Sequence, residues 1–183
     1  TSPIKGTVAD GGDRAAEARA LRSSTKELAE HAMVVDLMRN DLSRVSVAGS
    51  VRIRELMRVL PFAGLSHLVS TVEGRALPEL GHAEILAGTF PPGSVTGAPK
   101  ESAMRIIAAL EDAPRGLYTG ATGFVDRAGG FSLAVAIRTA VVHAGTVTYF
   151  AGGGIVIDSD PEAETRETEL KAQVFLRALD SPT

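Results

Sequence analysis

Chemistry-bearing residues gather most densely in Ala151-Gly152-Gly153-Gly154-Ile155-Val156-Ile157-Asp158-Ser159-Asp160-Pro161-Glu162 and in the acidic segment behind it. Three glycines after an apolar run, Val147 to Phe150, leave backbone N–H groups with no side chain in front of them, so a small anion can approach closely. Glu164, Glu167 and Glu169 then fall in the early turns of a predicted helix, for which Ser159 and Glu162 have capping-box spacing and Pro161 suits the first turn. Anion-binding amides beside carboxylates make chemical sense when a cation lies between them, which describes a metal-assisted site for a carboxylate-bearing substrate. The plainer reading is a Gly-rich strand end before a helix whose acidic start complements its dipole, and this stretch alone favours it.

Three other places carry residues of the right kind. Arg138 stands in the apolar run Leu133 to Val142, where a guanidinium is expensive to bury without a partner and suits a ligand carboxylate. An internal acidic partner or an outward-facing position would serve it equally well. The loop Phe90 to Lys100, fixed by Pro91, Pro92 and Pro99 and by Gly93 and Gly97, ends at a helix start and offers amides with the Ser94 and Thr96 hydroxyls. Glu30 and His31 sit at the edge of a helical apolar face, where an ionisable pair is either solvated or in use.

The elements that must position these groups can be read from periodicity. Asp13 is a candidate N-cap for a helix over 14–22, and Ser24 with Glu27 opens a longer helix to about Leu42. Leu28, Ala32, Val35 and Met38 form its core face, with Glu27, Glu30, His31 and Val34 on the neighbouring stripe. Strands are predicted over 50–60 and 64–72, the second carrying His67 with Leu65 and Val69 on its side. A short helix over 83–86 and another over 100–110 follow. Runs at 117–125, 131–143 and 146–157 read as an antiparallel meander with Arg138 in its middle strand, and a last helix, 161–179, turns Leu170, Val174 and Phe175 inward.

Composition narrows the class. A chain of 183 residues with 44% hydrophobic and 22% charged residues is long enough for one sizeable core, read as one domain or part of one over 1–183. A net charge of −3, with Lys and Arg scattered, leaves no footprint for nucleic acid, and aromatic content of 4% argues against base stacking. No apolar run approaches the roughly 18 residues of a membrane helix. The absence of cysteine excludes disulfides and thiolate chemistry, and the whole reads as a cytosolic protein. The opening, Thr1-Ser2-Pro3-Ile4-Lys5-Gly6-Thr7, starts abruptly in what reads as a strand end, as a piece of a longer protein would.

Seven blocks, taken in order, resemble the chorismate-utilising enzymes, specifically the component I chains of aminodeoxychorismate synthase and anthranilate synthase. They are Pro3 to Thr7, Glu30 to Leu42, Ser66 to Ser70, Pro92 to Lys100, Tyr118 to Gly120, Ala136 to Thr139 and the Gly-rich stretch through Glu167-Thr168. The resemblance implies an α+β fold of antiparallel β-sheets packed around helices, of which this chain is the C-terminal part, with a chorismate pocket between sheet and helices.

It also implies roles. Glu30 and Glu167 are similar to the two magnesium carboxylates, with Glu27 and Glu164, each one turn earlier, as the second pair. Oxygen ligands with open water positions suit Mg2+. Tyr118 and Arg138, with amides near Gly152 and Gly154, resemble the clamp on the enolpyruvyl carboxylate, a bidentate use of guanidinium. Gly6 and Ser94 are similar to substrate contacts, Lys171 to a pocket lysine, and His67 to the family histidine beside the ring, assisting departure of the C4 hydroxyl or a later proton transfer.

Lys5 is the residue that discriminates. Anthranilate and isochorismate synthases carry alanine at this motif position, whereas aminodeoxychorismate synthases commonly carry lysine. The implied role is covalent: a neutral amine, its pKa lowered by burial or by a cation such as Lys171, attacks C2 of chorismate. Leu170 departs from the pattern, replacing an amide found in many relatives. The implied enzyme takes ammonia from a glutamine amidotransferase partner. The alternatives are anthranilate synthase component I, which aminates C2 directly and eliminates pyruvate, and an inert fragment of the family acting as a binding module.

Overall fold

A computed structural model of the chain describes residues 1–9, 11–62, 65–157 and 159–180. It divides into two compact units, Thr1–Leu110 and Glu111–Thr183.

In the first unit, β1 (Ile4–Ala9), β2 (Arg52–Phe62) and β3 (Leu65–Glu73) form an antiparallel sheet in the order β1-β3-β2. Helices α1 (Arg14–Ser23) and α2 (Thr25–Ser43) pack on it. The predicted caps form: Asp13 accepts from the Ala15 and Ala16 amides at 2.9 and 3.0 Å, and Ser24 Oγ from the Glu27 amide at 3.3 Å. The core joins Leu21 of α1 and Val35 and Met38 of α2 to Leu68, Val69 and Val72 of β3. Each fully buried Leu or Val contributes roughly 1.5–3 kcal/mol. Two details differ from the periodicity reading. Ala32 is exposed, and His31, expected at the edge of the face, lies fully buried in it at 0% exposure. The face is turned one residue because an imidazole with both nitrogens partnered can be buried as readily as an apolar side chain.

The sheet is irregular at two points. The β1–β3 register shifts between Lys5 and Thr7, so Gly6 bulges out with φ 85°. The β2–β3 register shifts on both sides of Glu55, and Met57 takes φ 51°. Three further helices follow: α3 (His82–Thr89), longer than expected, the single turn α4 (Gly93–Thr96) and α5 (Lys100–Leu110).

The second unit holds β4 (Ala121–Val125), β5 (Phe131–Val135), β6 (Ala140–His143), β7 (Thr146–Tyr149) and α6 (Pro161–Asp180). The expected three-stranded meander is instead two antiparallel ribbons, β4–β5 and β6–β7. The run over 131–143 breaks in the middle. The Ala136 amide bonds the Gly120 carbonyl at 2.9 Å, prolonging the first ribbon by one step, and Arg138 then takes φ 51° and turns the chain. Arg138 is exposed in this bend, which corrects its placement within the middle strand and agrees with an outward-facing position. At the β6–β7 turn Ala144 and Gly145 have φ 47° and 77°, the double left-handed conformation that matches strand twist in a two-residue hairpin.

Two expectations for α6 also change. Its cap is Asp160, whose Oδ1 accepts from the Ala163 amide at 2.8 Å; Ser159, expected in that role, instead donates to Glu164. Leu170 is exposed rather than inward, while Phe175 stacks on Tyr149 with centroids 4.4 Å apart. The Val174 side chain and Asp158 lie outside the described residues. Among the described residues no helix is long and apolar enough to cross a membrane.

Candidate functional site

In the first unit the bulge at Gly6 gathers most of the expected groups. Lys5 points its ammonium at Glu30, Nζ to Oε2 2.6 Å, with both side chains about a quarter exposed at 30% and 20%. Glu27, one turn earlier on α2, brings its carboxylate against Gly6: a Cβ there would lie 3.2 Å from Glu27 Oε2 and 3.2 Å from Leu68. With φ 85° and that close approach, the position requires glycine. His67, paired in register with Thr7 on β1, sets Nδ1 3.1 Å from the Gly6 carbonyl and 2.9 Å from Thr7 Oγ1. A carbonyl only accepts, so Nδ1 carries a proton and donates there. Within the first unit the charged neighbour of Lys5 is the Glu30 carboxylate.

Two further polar residues, His31 and Glu17, hold this corner in place. His31 Nδ1 lies 3.2 Å from the Lys5 carbonyl, and its Nε2 lies 2.7 Å from Ser70 Oγ. Burial pushes this imidazole below its ordinary range, with the Lys5 hydrogen bond opposing in part. Glu17 of α1 is buried, accepting from Ser66 Oγ at 2.7 Å and the Gly11 amide at 2.9 Å, which fixes the residue before His67. The sequence signal for both was a polar residue on an apolar stripe.

The Pro-rich loop is held by one carboxylate. Asp41 Oδ2 accepts from the Gly93 amide at 2.7 Å, and Oδ1 pairs with Lys100 Nζ at 2.6 Å. Both ends of the segment carrying α4 are therefore tied to α2, and Ser94 is left exposed on that single turn.

In the second unit the glycines are used for close approach. A Cβ at Gly152 would collide with the Tyr118 hydroxyl, and one at Gly153 would lie 3.0 Å from Glu164 Oε2. Lys171 Nζ bonds the Gly152 carbonyl at 3.0 Å and pairs with Glu167 at 2.8 Å. Gly154 has open space around it. Tyr118 stacks on Phe150, centroids 5.4 Å apart, beside the Arg115 guanidinium, which Glu111 holds at 2.6 and 2.8 Å. Burial raises the Tyr118 phenol above its ordinary value, with Arg115 opposing. The second unit thus brings Tyr118, Gly152, Gly153, Glu164, Glu167 and Lys171 into one neighbourhood, while Arg138 stands in its bend.

The oxygen donors fit a hard divalent cation. Two carboxylates stand one turn apart on α2, and two more on α6. Among the described residues, no three Asp, Glu, His or Cys side chains converge as a metal-binding group. Glu30 and Glu167 each hold a lysine instead.

The mixed helix and antiparallel-sheet scaffold is that of the chorismate-utilising enzymes. It is similar to anthranilate synthase component I from Streptococcus pneumoniae (TM-score 0.78, 42% identity, 94% of this chain and 41% of that one). It is also similar to the menaquinone-specific isochorismate synthase from Escherichia coli (TM-score 0.79, 27% identity, 94% and 40%). The chain belongs to the chorismate binding enzyme family, whose model matches residues 1–177. Among curated relatives it is 46% identical over 183 residues to anthranilate synthase component 1 of Arthrobacter globiformis. It is 45% identical over 184 residues to aminodeoxychorismate synthase component 1 of Escherichia coli. These alignments take in 98% of this chain, which spans 34% and 40% of the respective relatives.

Proposed function

We propose that this chain carries the catalytic lysine of an aminodeoxychorismate synthase component I, which aminates chorismate at C4 with ammonia from a glutamine amidotransferase partner. The observation that carries the reading is Lys5 itself: a lysine at the discriminating motif position, half-buried at a glycine bulge, with Glu30 at 2.6 Å and His67 anchored beside it on Gly6. In this mechanism Lys5 leaves its ion pair as the neutral amine and forms a bond from Nζ to C2. Both conjugated ring double bonds shift, from C1–C2 and C5–C6 to C1–C6 and C4–C5, and the C4–O bond breaks, the oxygen departing as water with a proton delivered by an acid such as protonated His67. Ammonia then forms the C4–N bond, both double bonds shift back, and the C2–Nζ bond breaks to release Lys5 as the neutral amine, leaving the new amino group protonated.

The expected magnesium carboxylates remain Glu27 and Glu30 on α2 and Glu164 and Glu167 on α6. Magnesium, when bound, would neutralise the ring carboxylate and orient it. Tyr118 and Arg138, with the amides near Gly152 and Gly154, are proposed for the enolpyruvyl carboxylate, Gly6 and Ser94 for further substrate contacts, and Lys171 for orienting a carboxylate.

Identity to relatives named for either amination is nearly equal, so anthranilate synthase component I is the competing reading. The test uses the full-length protein with chorismate, magnesium and an ammonium salt, with Lys5→Ala alongside. Formation of 4-amino-4-deoxychorismate by the wild type and its loss in Lys5→Ala is the expected result. Fluorescent anthranilate from the wild type would assign the enzyme to the other amination and remove the covalent role from Lys5.

A further inference from the structure

The bulge at Gly6 leaves two successive carbonyls, those of Lys5 and Gly6, each facing an imidazole from a different element. His67 of β3 meets the Gly6 carbonyl at 3.1 Å, and His31 of α2 meets the Lys5 carbonyl at 3.2 Å. The two rings are not equivalent. His67 is half-buried, and its chemistry is accounted for above. His31 is fully buried and has both nitrogens committed. Its contact with a carbonyl puts the proton on Nδ1, so Nε2 accepts from Ser70 Oγ. Ser70 Oγ in turn accepts from the Met57 amide at 2.9 Å. Donors and acceptors match along the whole chain, from the Met57 amide through Ser70 and His31 to the Lys5 carbonyl.

Each end of that chain lies at a break in the sheet. Met57 has φ 51° inside β2, a conformation that L side chains rarely adopt and that persists only where surroundings over-determine it. Lys5 precedes Gly6, the other left-handed residue of the sheet. Ser70 is likewise fully buried, so neither link of the relay exchanges with water.

We infer that His31 is a positioning residue for Lys5: through its Nδ1–H it fixes the Lys5 main chain, and with it the line along which the Lys5 amine reaches Glu30 and the substrate. This role rests on the reading of Lys5 as the nucleophile. Because the hydrogen bonds of the His31 ring go to backbone and a buried hydroxyl, it sets the rate of attack and leaves substrate affinity alone. A misplacement of about 1 Å in a reacting group lowers rates by up to about 100-fold.

The test has two arms in the full-length protein. In the first, long-range proton–nitrogen correlation spectra of 15N-imidazole-labelled enzyme, assigned with His31→Asn, are expected to show His31 as the neutral Nδ1–H tautomer. An Nε2–H tautomer or a doubly protonated ring overturns the relay. In the second, His31→Asn, His31→Gln and His31→Leu are assayed with chorismate, magnesium and ammonium. The Asn amide nitrogen can take the place of Nδ1 and donate to Lys5, so its kcat is expected within about 3-fold of wild type. Gln reaches Ser70 alone and Leu reaches neither, so kcat falls by about 30- to 100-fold in both with KM for chorismate unchanged within about 2-fold. If His31→Leu does not fold, the contrast between Asn and Gln decides. A wild type that makes aminodeoxychorismate while all three variants fall alike, or none falls, overturns the positioning role alone. A wild type that makes anthranilate removes the nucleophile and overturns both readings.

Discussion

At the scale of single residues, Gly6 is the sharpest case of backbone and chemistry being set together. Its φ of 85° and the 3.2 Å approach of Glu27 Oε2 to a would-be Cβ predict that Gly6→Ala loses about 1–2 kcal/mol. The same Cβ pushes Glu27 aside, so if Glu27 serves magnesium as proposed, the magnesium concentration needed for half-maximal activity rises. Thermal unfolding and a magnesium titration check the two parts, and an alanine variant with wild-type behaviour in both would contradict them. Tyr118 offers a pH test. Its phenol is raised above 10.0 because burial disfavours the phenolate. The unfolded chain ionises near the ordinary value while the folded one stays protonated. Stability is therefore fully present below pH 10 and declines as pH rises from there through the folded pKa. The absorbance titration of wild type minus Tyr118→Phe should place this tyrosine above 10.0, and a midpoint at or below that value would refute the assignment.

At the scale of elements, two internal ties matter more than helix propensity. Asp41 holds the Gly93 amide and Lys100 at once, so Asp41→Ala strands a mostly buried ammonium and is expected to destabilise by about 3–5 kcal/mol. Removing both charges, as in Asp41→Leu with Lys100→Met, should recover a large part of that loss, and denaturant unfolding of the cycle measures it. A pair worth nothing would show as a silent Asp41→Ala. Ser70→Ala removes the acceptor for the Met57 amide and is expected to cost about 1–3 kcal/mol, read the same way. These ties escaped the periodicity reading for a common reason. A partner 13 or 52 residues away leaves no mark in a residue's own stretch of sequence.

At the scale of the whole molecule the test is linkage. If the carboxylates of α2 and α6 hold magnesium in the full-length protein, saturation at 100 times Kd stabilises the fold by about 2.7 kcal/mol. Scanning calorimetry should show the melting temperature rising with magnesium and falling back with chelator. Glu30→Ala and Glu167→Ala are each expected to abolish most of the increment. A magnesium effect that survives both substitutions would move the metal elsewhere.

Local chemistry alone was enough for much of this. The caps at Asp13 and Ser24, the helices around them and the strands near 50–60 and 64–72 follow from short-range rules that act within a turn or two of chain. The family was likewise legible, because the motif blocks stand in a characteristic order along the chain. Tertiary structure decided the rest. The apolar run over 131–143 carries no signal for where it breaks, since strand ends are set by the partner's hydrogen bonds, and Arg138 came out in a bend instead of the middle strand. His31 shows the same physics from the other side: its burial depends on a carbonyl 26 residues before it and a hydroxyl 39 residues after it. Long-range donors and acceptors meet only when the chain has folded, and they determine which polar residues of an apolar face become part of its core.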